Sequence, residues 1–336
     1  MTQKMTMKQI AELAGCSISQ VSRVLNEKVS VATEVRERIR KIAAEHHFRI
    51  NVTSHHVRLC FLKKSKFGHF TGHLYAGLEK ACQKRGWLLY TVNKMSNPKE
   101  LGEQFFDGYF CYKAGKDFQQ EWVKYQQIPL VMLNSYGLHG GEICSVDPDP
   151  YDGSLKVLRH LKSLGHRKIA RINYCIDPMR GYDEFMRAAQ KLKLHDVIDI
   201  HDRKFSQERF LKDLKALADS GVTALFIIHQ NLAFQSVQLI KSQGYRIPED
   251  FSVVTYELES VSEFFDPPVT TLDFDYDGLG EKACEIMALR LHGMPCPTKE
   301  IRVPSLPLMI RESTGPVPKR WKVQAALRRI PDGINR

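Results

Sequence analysis

The sequence has few cysteines, and their spacing excludes metal-binding and disulfide frameworks. The eight cysteines are scattered over 336 residues, with no Cys-x-x-Cys pair and no Cys/His set at the spacing of zinc ligands. This pattern predicts buried or incidental thiols in a protein of a reducing compartment. The chain also lacks a signal-peptide-like apolar segment and any apolar run near the roughly 18 residues that a membrane helix needs. We therefore expect a cytoplasmic protein that does not enter a membrane.

The motifs of the common enzyme classes are also missing. The chain contains no Gly-x-Gly-x-x-Gly, no phosphate-binding P-loop, no Gly-x-Ser-x-Gly and no His-Glu-x-x-His. His139-Gly140-Gly141 is faintly similar to an esterase oxyanion loop, but no nucleophile motif accompanies it, so a glycine-rich turn is favoured. We expect no enzymatic activity and no cofactor.

Basic residues are concentrated at the two ends of the chain. Residues 1–58 contain ten Lys/Arg and five Asp/Glu, and residues 316–336 contain six and one. The rest is nearly neutral, with 33 basic and 32 acidic residues. A basic head on a neutral body is typical of a polyanion-binding module joined to a separate binding domain. Basic termini that only aid solubility explain the charge alone equally well.

Three short amphipathic segments open the chain. Each apolar stripe has helical spacing but is too short to form a core alone, so the three helices must share one. Gly15 follows the first stripe, where a left-handed residue ends a helix, and Ser17 is placed to cap the second. The turn at residues 15–17 has the length found in helix-turn-helix motifs. The stripes are Ile10, Leu13 and Ala14; Val21, Val24 and Leu25; and Val35, Ile39, Ile42 and Ala43.

The second helix has one apolar face and one polar face. Ser and Gln side chains can bond base edges, Arg can pair with guanine through two hydrogen bonds, and Ile can touch a thymine methyl group. The alternative is the solvated face of an ordinary three-helix bundle, but the helix spacing and the local charge favour DNA binding. The outward residues are Ile18, Ser19, Gln20, Ser22 and Arg23.

The segment MTMKQIAELAGCSISQVSRVLNEKVS resembles the DNA-binding headpiece of the lac/galactose repressor family. It follows the family pattern Lys-Asp-Ile-Ala-x-x-Ala-Gly-Val-Ser-x-x-Thr-Val-Ser-Arg-Val-Leu-Asn, and departs from it at Gln9 for Asp, Cys16 for Val and Gln20 for Thr. Gln20 is a departure that would alter operator choice. The resemblance implies base-edge positions for Ile18, Ser19 and Arg23, and phosphate positions for Ser17, Ser22 and Asn26.

The hinge after the headpiece departs further from the family. In the family this segment folds into a short helix on DNA and inserts a Leu into the minor groove, which costs unstacking energy and bends the DNA. Here residues 51–57 occupy its place, with Val57 at the Leu position and Ile50 where a Pro is usual. Val and Thr are mediocre helix formers, and the segment runs almost directly into an apolar strand near Leu59. We expect a shortened hinge with Val57 as its DNA-facing residue.

Short apolar runs alternate with amphipathic stretches from Leu59 onward. This alternation predicts parallel sheets flanked by helices, and glycines at 86, 165, 221 and 244 fit helix C-caps. The predicted strands are Leu59–Leu62, Leu88–Val92, Gly108–Tyr112, Leu130–Leu133, Lys168–Ile172, Ala224–Ile228 and Ser252–Tyr256. The predicted helices are His73–Arg85, Asp152–Leu164, Asp183–Leu192, Gln207–Ser220 and Leu232–Gln243.

The body also resembles the same family over most of residues 59–314. The segments IPLVMLNSY, SVDPDPYDGSLKVLRHLKSLGHRKIARI, IPEDFSVVTYE and DPPVTTLDFDYDGLGEKACEIM occur in family order. The resemblance implies a periplasmic-binding-protein-like body of two lobes with a ligand in the cleft between them. Residues 92–108 are fewer than usual, so one helix should be largely missing.

The resemblance places six residues at the effector. A set of amide, His, Glu and aromatic groups suits a neutral polyol better than an anion, which needs a cluster of Arg or Lys. Phe205 as a core residue and Arg180 as a surface charge are equally good alternatives, and His229 could be structural. The implied effector residues are Phe70, Asn134, Arg180, Phe205, His229 and Glu257.

The tail after Gly315 is basic and lacks the leucine heptads of a tetramerising coiled coil, so a homodimer is expected. The segments that we expect are a helix-turn-helix headpiece at 1–48, a hinge at 49–58, a two-lobed body at 59–315 and a basic tail at 316–336. Within the body, the first lobe covers about 59–147 and 274–302, and the second about 148–273 and 303–315.

The sequence predicts a transcriptional regulator that binds a double-stranded DNA operator and represses a sugar-utilisation operon until a saccharide releases it. One alternative is a regulator of the same family that responds to a non-sugar effector or needs a co-repressor. The other is a sugar receptor or enzyme whose head serves oligomerisation.

Overall fold

A computed structural model divides the chain into two compact units. The first comprises Met1–Asp147 and Tyr276–Val303, and the second comprises Pro148–Asp275 and Pro304–Arg336. The structure describes residues 5–25, 31–46, 57–63, 68–92, 98–101, 106–113, 116–125, 128–135, 143–174, 181–257 and 261–318. Within these ranges, no helix combines the length and apolar composition needed to cross a bilayer.

Helices and strands alternate along the body, as the hydrophobic pattern predicts. The helices are α1 (Met7–Ala14), α2 (Ile18–Leu25), α3 (Thr33–Glu45), α4 (His69–Lys84), α5 (Pro98–Leu101), α6 (Lys116–Tyr125), α7 (Pro150–Ser163), α8 (Tyr182–Lys191), α9 (Gln207–Ser220), α10 (Gln230–Ser242) and α11 (Tyr276–Leu291). The strands are β1 (Arg58–Leu62), β2 (Leu88–Val92), β3 (Gly108–Tyr112), β4 (Leu130–Leu133), β5 (Cys144–Pro148), β6 (Ile169–Tyr174), β7 (Val197–Asp202), β8 (Ala224–Ile227), β9 (Ser252–Tyr256), β10 (Thr270–Leu272) and β11 (Glu300–Val303).

Helices α1 to α3 share one small core at the start of the first unit. Ile10 and Val21 are fully shielded from solvent within it. Gly15 ends α1 in the left-handed conformation, with a φ of 59°, where an Ala would be strained. The Ser17 hydroxyl caps α2 by accepting the backbone N–H of Gln20 at 3.2 Å. The predicted helix-turn-helix geometry is confirmed.

The first unit contains a six-stranded sheet in the order β11-β5-β4-β3-β1-β2. The pairs β1–β2, β1–β3, β3–β4 and β4–β5 are parallel. Helices α4 and α11 pack on one face, over Phe61 and Phe110, and α5 and α6 pack on the other, over Tyr109. The chain leaves β1 first to β2 on one side and then to β3 on the other, so the strand order reverses between β1 and β3.

Two glycines let α4 and α11 approach each other closely. A Cβ added to Gly77 would lie 2.2 Å from the carbonyl oxygen of Tyr276. A Cβ added to Gly280 would lie 2.3 Å from the carbonyl oxygen of Gly77. Near this crossing the buried sulfurs of Cys82 and Cys284 lie 3.6 Å apart.

The second unit contains a five-stranded sheet in the order β10-β9-β8-β6-β7, and all four of its neighbouring pairs are parallel. Helices α9 and α10 cover one face and α7 and α8 the other. Here the strand order reverses between β6 and β8. The predicted fold class of parallel sheets flanked by helices is confirmed in both units.

Two sequence expectations need correction. Cys144 and Cys296 are joined in a disulfide, so the eight cysteines are not all free thiols. The two cysteines are 152 residues apart in the chain, and only the placement of β11 beside β5 brings them together. Val57 is the second correction: it is 6% exposed, and its carbonyl accepts the N–H of Leu88 at 2.8 Å. A side chain in the core of the first unit is not available as a minor-groove wedge.

Candidate nucleic-acid interface and effector sites

Helix α2 presents most of the predicted DNA-facing residues together. Ile18 is 47% exposed, and Ser19 and Arg23 are also exposed, whereas Val21 and Val24 are buried in the head core. An Ile side chain held in solvent at the start of a helix has no packing role in the head. The same face includes Ser17, which is exposed, and Gln20 and Ser22, which are half-buried.

The first turn of α2 is closed by a reciprocal cap. The Ser17 hydroxyl accepts the backbone N–H of Gln20. In return, the side-chain amide oxygen of Gln20 accepts the backbone N–H of Ser17 at 2.9 Å. The two side chains also meet at 3.1 Å, and the hydroxyls of Ser17 and Ser19 lie 2.9 Å apart. This is the capping box Ser-x-x-Gln, which satisfies two backbone donors at a helix start. The Ser17 hydroxyl, expected at a phosphate, is therefore already engaged within α2.

Helix α1 begins with the same device. The backbone N–H of Thr6 donates to the side-chain amide oxygen of Gln9 at 2.8 Å. The Thr6 hydroxyl accepts the backbone N–H of Gln9 at 3.3 Å. The departures from the family pattern at Gln9 and Gln20 thus both build capping boxes. Asn26 and residues 49–56 of the hinge lie outside the described residues.

Phe70 and Asn134 come together at the carboxyl ends of strands in the first unit. The Asn134 amide donates to the hydroxyl of Tyr112 at 3.1 Å. The Tyr112 ring lies 6.1 Å from that of Phe70, which also contacts Tyr276 at 5.4 Å. Phe70 is the second residue of α4, the helix that follows β1, and Tyr112 ends β3, so the group lies where the strand order reverses. Ligands of open α/β sheets bind at such positions.

Two residues at this edge of the sheet have a left-handed backbone conformation. Asn134 has a φ of 56° and Lys113 a φ of 53°. Left-handed conformations are uncommon outside glycine, with Asn the best tolerated, and such strain often accompanies functional sites. The Lys113 ammonium lies 5.4 Å from the centre of the Tyr112 ring. Lys63, which follows β1, is buried at 3% exposure.

Three predicted effector residues lie at the carboxyl ends of strands in the second unit. His229 follows β8 as the N-cap residue of α10, and Glu257 follows β9. Phe205 follows β7 and packs edge-on against Tyr174, the last residue of β6, with ring centres 5.8 Å apart. Phe205 is only partly buried against the core, so one part of its ring faces solvent. Arg180 lies outside the described residues.

Glu257 is held by partners that the sequence did not identify. Its carboxylate accepts the side-chain amide of Gln230, which also donates to Ser262 at 2.9 Å. The guanidinium of Arg311 lies 3.7 Å from its second oxygen and donates to the Thr271 hydroxyl at 2.7 Å. Glu257 is 6% exposed. The approach of Arg311 partly offsets its charge, and a carboxylate can accept hydrogen bonds from the hydroxyl groups of a ligand.

Tyr174 also has a fixed orientation. Its hydroxyl donates to the carboxylate of Asp213 at 2.5 Å, and Arg209 pairs with the same carboxylate at 3.0 Å. Burial and this neighbouring carboxylate raise the pKa of Tyr174. It therefore remains a neutral phenol beside Phe205. Tyr112, Tyr174, Gln230 and Arg311 carry no motif signal, and only the sheet register places them at these edges.

A basic helix-turn-helix head followed by two parallel α/β units, each with polar and aromatic side chains at its strand ends, defines a DNA-binding regulator with a sensing body. Comparison with known proteins supports this class. The sequence model for bacterial regulatory proteins of the lacI family matches residues 6–51, and that for the periplasmic binding protein-like domain matches residues 158–314. The chain therefore combines a head that matches the lacI family of bacterial regulatory proteins with a body that matches the periplasmic binding protein-like domain.

Individual relatives share this architecture at low identity. The HTH-type transcriptional repressor PurR of Mannheimia succiniciproducens is 24% identical over 309 residues, which covers 85% of this chain and 92% of PurR. The ribose operon repressor of Haemophilus influenzae is 26% identical over 308 residues, with the same two coverages. Among solved structures, the lac repressor dimer bound to operator and the anti-inducer ONPF matches with a TM-score of 0.64 at 20% identity, over 93% of this chain and 100% of that one. At this low identity, the structural similarity shows that the two chains share a fold.

Proposed function

We propose that this protein is a transcriptional repressor whose binding to a DNA operator is relieved by a saccharide. The observation that carries the DNA-binding part is the outer face of α2, where Ile18, Ser19 and Arg23 lie in solvent beside one another. In this role Arg23 pairs with guanine, Ile18 contacts a thymine methyl group, and Ser19 bonds a base edge. Ser22 and Asn26 hold phosphates.

The saccharide part of the proposal rests on the strand-end side chains. Phe70 and Phe205 offer flat apolar faces to a sugar ring, and Asn134, His229 and Glu257 offer donors and acceptors to its hydroxyl groups. Arg180 belongs to this set by family position alone. The relatedness to a ribose operon repressor supports a sugar. Binding would bias the arrangement of the two lobes and thereby weaken operator binding, and by linkage the operator would weaken sugar binding by the same factor.

We further propose a homodimer bound to a near-palindromic operator, with two heads about one helical turn apart. Large apolar side chains are exposed in each unit: Leu88 and Tyr90 on the edge strand β2 at 39% and 41%, and Phe264 in the second unit at 78%. Contiguous exposed apolar patches can mark protein interfaces, so these side chains are the candidates for the dimer contact. The proposal includes the domain boundaries predicted above, action without catalysis, and a cytoplasmic location beside the chromosome.

The DNA-binding proposal is tested by selecting binding sites from a pool of random duplex DNA with the purified full chain. We expect a two-fold symmetric motif, and Arg23→Ala should lose about 1–3 kcal/mol of discrimination at one position of each half-site. Arg38→Ala removes the same charge from the exposed face of α3 and should preserve the motif. If Arg23→Ala and the unaltered protein select the same DNA sequences, the result would favour the alternative of a sugar receptor or enzyme whose head serves oligomerisation.

A further inference from the structure

The side-chain oxygen of Gln20 is already hydrogen-bonded to Ser17 at the start of α2. It lies 2.9 Å from the backbone nitrogen of Ser17 and 3.1 Å from the Ser17 hydroxyl. A backbone N–H can only donate, so the atom that meets it must be the carbonyl oxygen of the amide and not its nitrogen. The two donors occupy the two lone pairs of that oxygen. Only the amide NH₂ group of Gln20 is left for another molecule.

This geometry restricts what Gln20 can read. A glutamine selects adenine by donating to N7 while its oxygen accepts from the adenine N6 amine, and here the oxygen is unavailable. We propose that Gln20 is a donor-only contact to DNA that recognises an acceptor atom: O6 of guanine, N7 of either purine, O4 of thymine, or a phosphate oxygen. The inference rests on the proposed DNA-binding function and narrows it, because it excludes paired recognition of adenine at this residue.

The placement of Gln20 makes a DNA contact reasonable. It lies in the first turn of α2, next to the exposed side chains of Ile18 and Ser19, and is itself half-buried. Residues in the first turn of a recognition helix are those that reach base edges. The cap also fixes the side chain before DNA arrives, so little rotamer entropy is lost on binding.

Helix α1 supplies a matched reference within the same head. Gln9 makes the same capping contacts with Thr6, at 2.8 and 3.0 Å, on a helix outside the predicted DNA-facing set. Any effect of a substitution on capping alone should be equal at Gln9 and Gln20. An effect confined to Gln20 therefore has a cause other than capping.

The test uses Gln20→Glu and Gln9→Glu in the full chain. A glutamate retains the capping oxygen, since Ser-x-x-Glu is also a capping box, but has no N–H to donate. Melting temperatures of both variants should match that of the unaltered protein. Against the sequence selected by the unaltered protein, Gln20→Glu should lose at least about tenfold in affinity, the scale of one good base contact, and Gln9→Glu much less.

A repeated selection with Gln20→Glu distinguishes the two sources of the acceptor. If Gln20 contacts a base, the preference at one position of each half-site should change from guanine or thymine to cytosine or adenine, whose amines donate to a carboxylate. If it contacts a phosphate, binding should weaken equally on all sequences, because phosphate contacts carry no sequence information. Both results support a donor-only contact.

Three results would overturn the inference. Equal DNA binding by Gln20→Glu and the unaltered protein would show that Gln20 serves capping alone. Selection of adenine by the unaltered protein, lost in Gln20→Ala, would show that the oxygen leaves Ser17 to pair with DNA. Failure of the unaltered protein to select any sequence would overturn the proposed function as well, whereas the first two leave that function intact.

Discussion

The side-chain amide of Asn134 donates to the hydroxyl of Tyr112 across 3.1 Å, between the carboxyl ends of two adjacent parallel strands. This bond joins Asn134, which the family resemblance implies, to Tyr112, which no sequence motif indicates. It also directs the Tyr112 hydroxyl proton away from Asn134, because the oxygen is the acceptor. The Tyr112 hydroxyl that accepts this bond belongs to the ring that lies 6.1 Å from that of Phe70.

Removal of this hydroxyl tests whether the first unit contacts the effector. Tyr112→Phe should raise the effector concentration needed for half-release of DNA by roughly tenfold, because one buried hydrogen bond contributes about 1–1.5 kcal/mol. Affinity for DNA without effector should not change. Tyr90→Phe, on the exposed edge strand, is the control and should leave release unaltered. Identical release curves for both variants would remove Tyr112 from the site.

The close crossing of α4 and α11 predicts a strong dependence on Gly77. Gly77→Ala should lower the free energy of unfolding by about 1–3 kcal/mol, because the new Cβ meets backbone atoms that cannot move independently. Gly72→Ala in the same helix meets no atom within 4 Å. This control should be neutral or stabilising by about 0.5–1 kcal/mol. Urea unfolding of the full chain measures both, and equal stabilities would contradict the packing.

His166 predicts a pH dependence of stability. It is fully buried, and the Thr223 hydroxyl and the Gly315 carbonyl oxygen lie 2.8 and 3.0 Å from its ring nitrogens. Burial, aided by His160 and Arg167 nearby, lowers the pKa of His166 to about 4. The ordinary value is about 6.5, so between these values the unfolded chain binds a proton that the folded chain does not. The stabilising contribution is therefore complete above pH 6.5 and is lost as the pH falls toward 4.

The expected loss through His166 is about 2 kcal/mol between pH 7 and pH 5. Unfolding in urea at both pH values measures it. His166→Asn should be less stable at pH 7 but should show a smaller change with pH, whereas His292→Asn, at an exposed position, should retain the full change. An unaltered pH dependence in His166→Asn would assign the effect to other groups.

Phe264 tests the proposed dimer. Phe264→Asp places a charge at this exposed position and should shift sedimentation toward the monomer. It should also weaken operator binding, because two linked heads bind DNA more tightly than one. Val123→Asp is the control, since Val123 is also exposed, at 53%, but lies on α6 of the first unit. A dimer that is equally stable with Phe264→Asp would place the interface elsewhere.

The sequence predicts those elements whose signal is local. All seven strands expected from apolar runs occur. Six of them are almost entirely buried, and the seventh is the exposed edge strand β2. Four strands are missed within the described part of the chain. Strand β7 alternates apolar and charged residues at a sheet edge, β10 has three residues, and β5 and β11 include Asp, Pro, Glu or Arg. Between the end of β2 and the start of β3, α5 is the one helix that the structure describes, and it has four residues. This fits the prediction that the segment 92–108 lacks most of one helix.

The candidate site was predictable only in part, for a related reason. Family order places Asn134, His229 and Glu257 correctly at strand ends, because position after a strand is a local property. Their partners Tyr112 and Arg311 depend on register and on the returning chain, which no local pattern encodes. The assignment of Val57 to DNA was wrong for the same reason, since its burial depends on pairing with the strand at Leu88.

Binding of the purified full chain to the DNA upstream of its own gene, with and without a panel of saccharides, tests the central claim most directly. The account predicts specific binding without ligand and release by one compound of the panel, at a concentration that Tyr112→Phe increases. Specific binding that no compound changes would contradict the saccharide-responsive mechanism, and absence of specific binding would contradict the repressor itself.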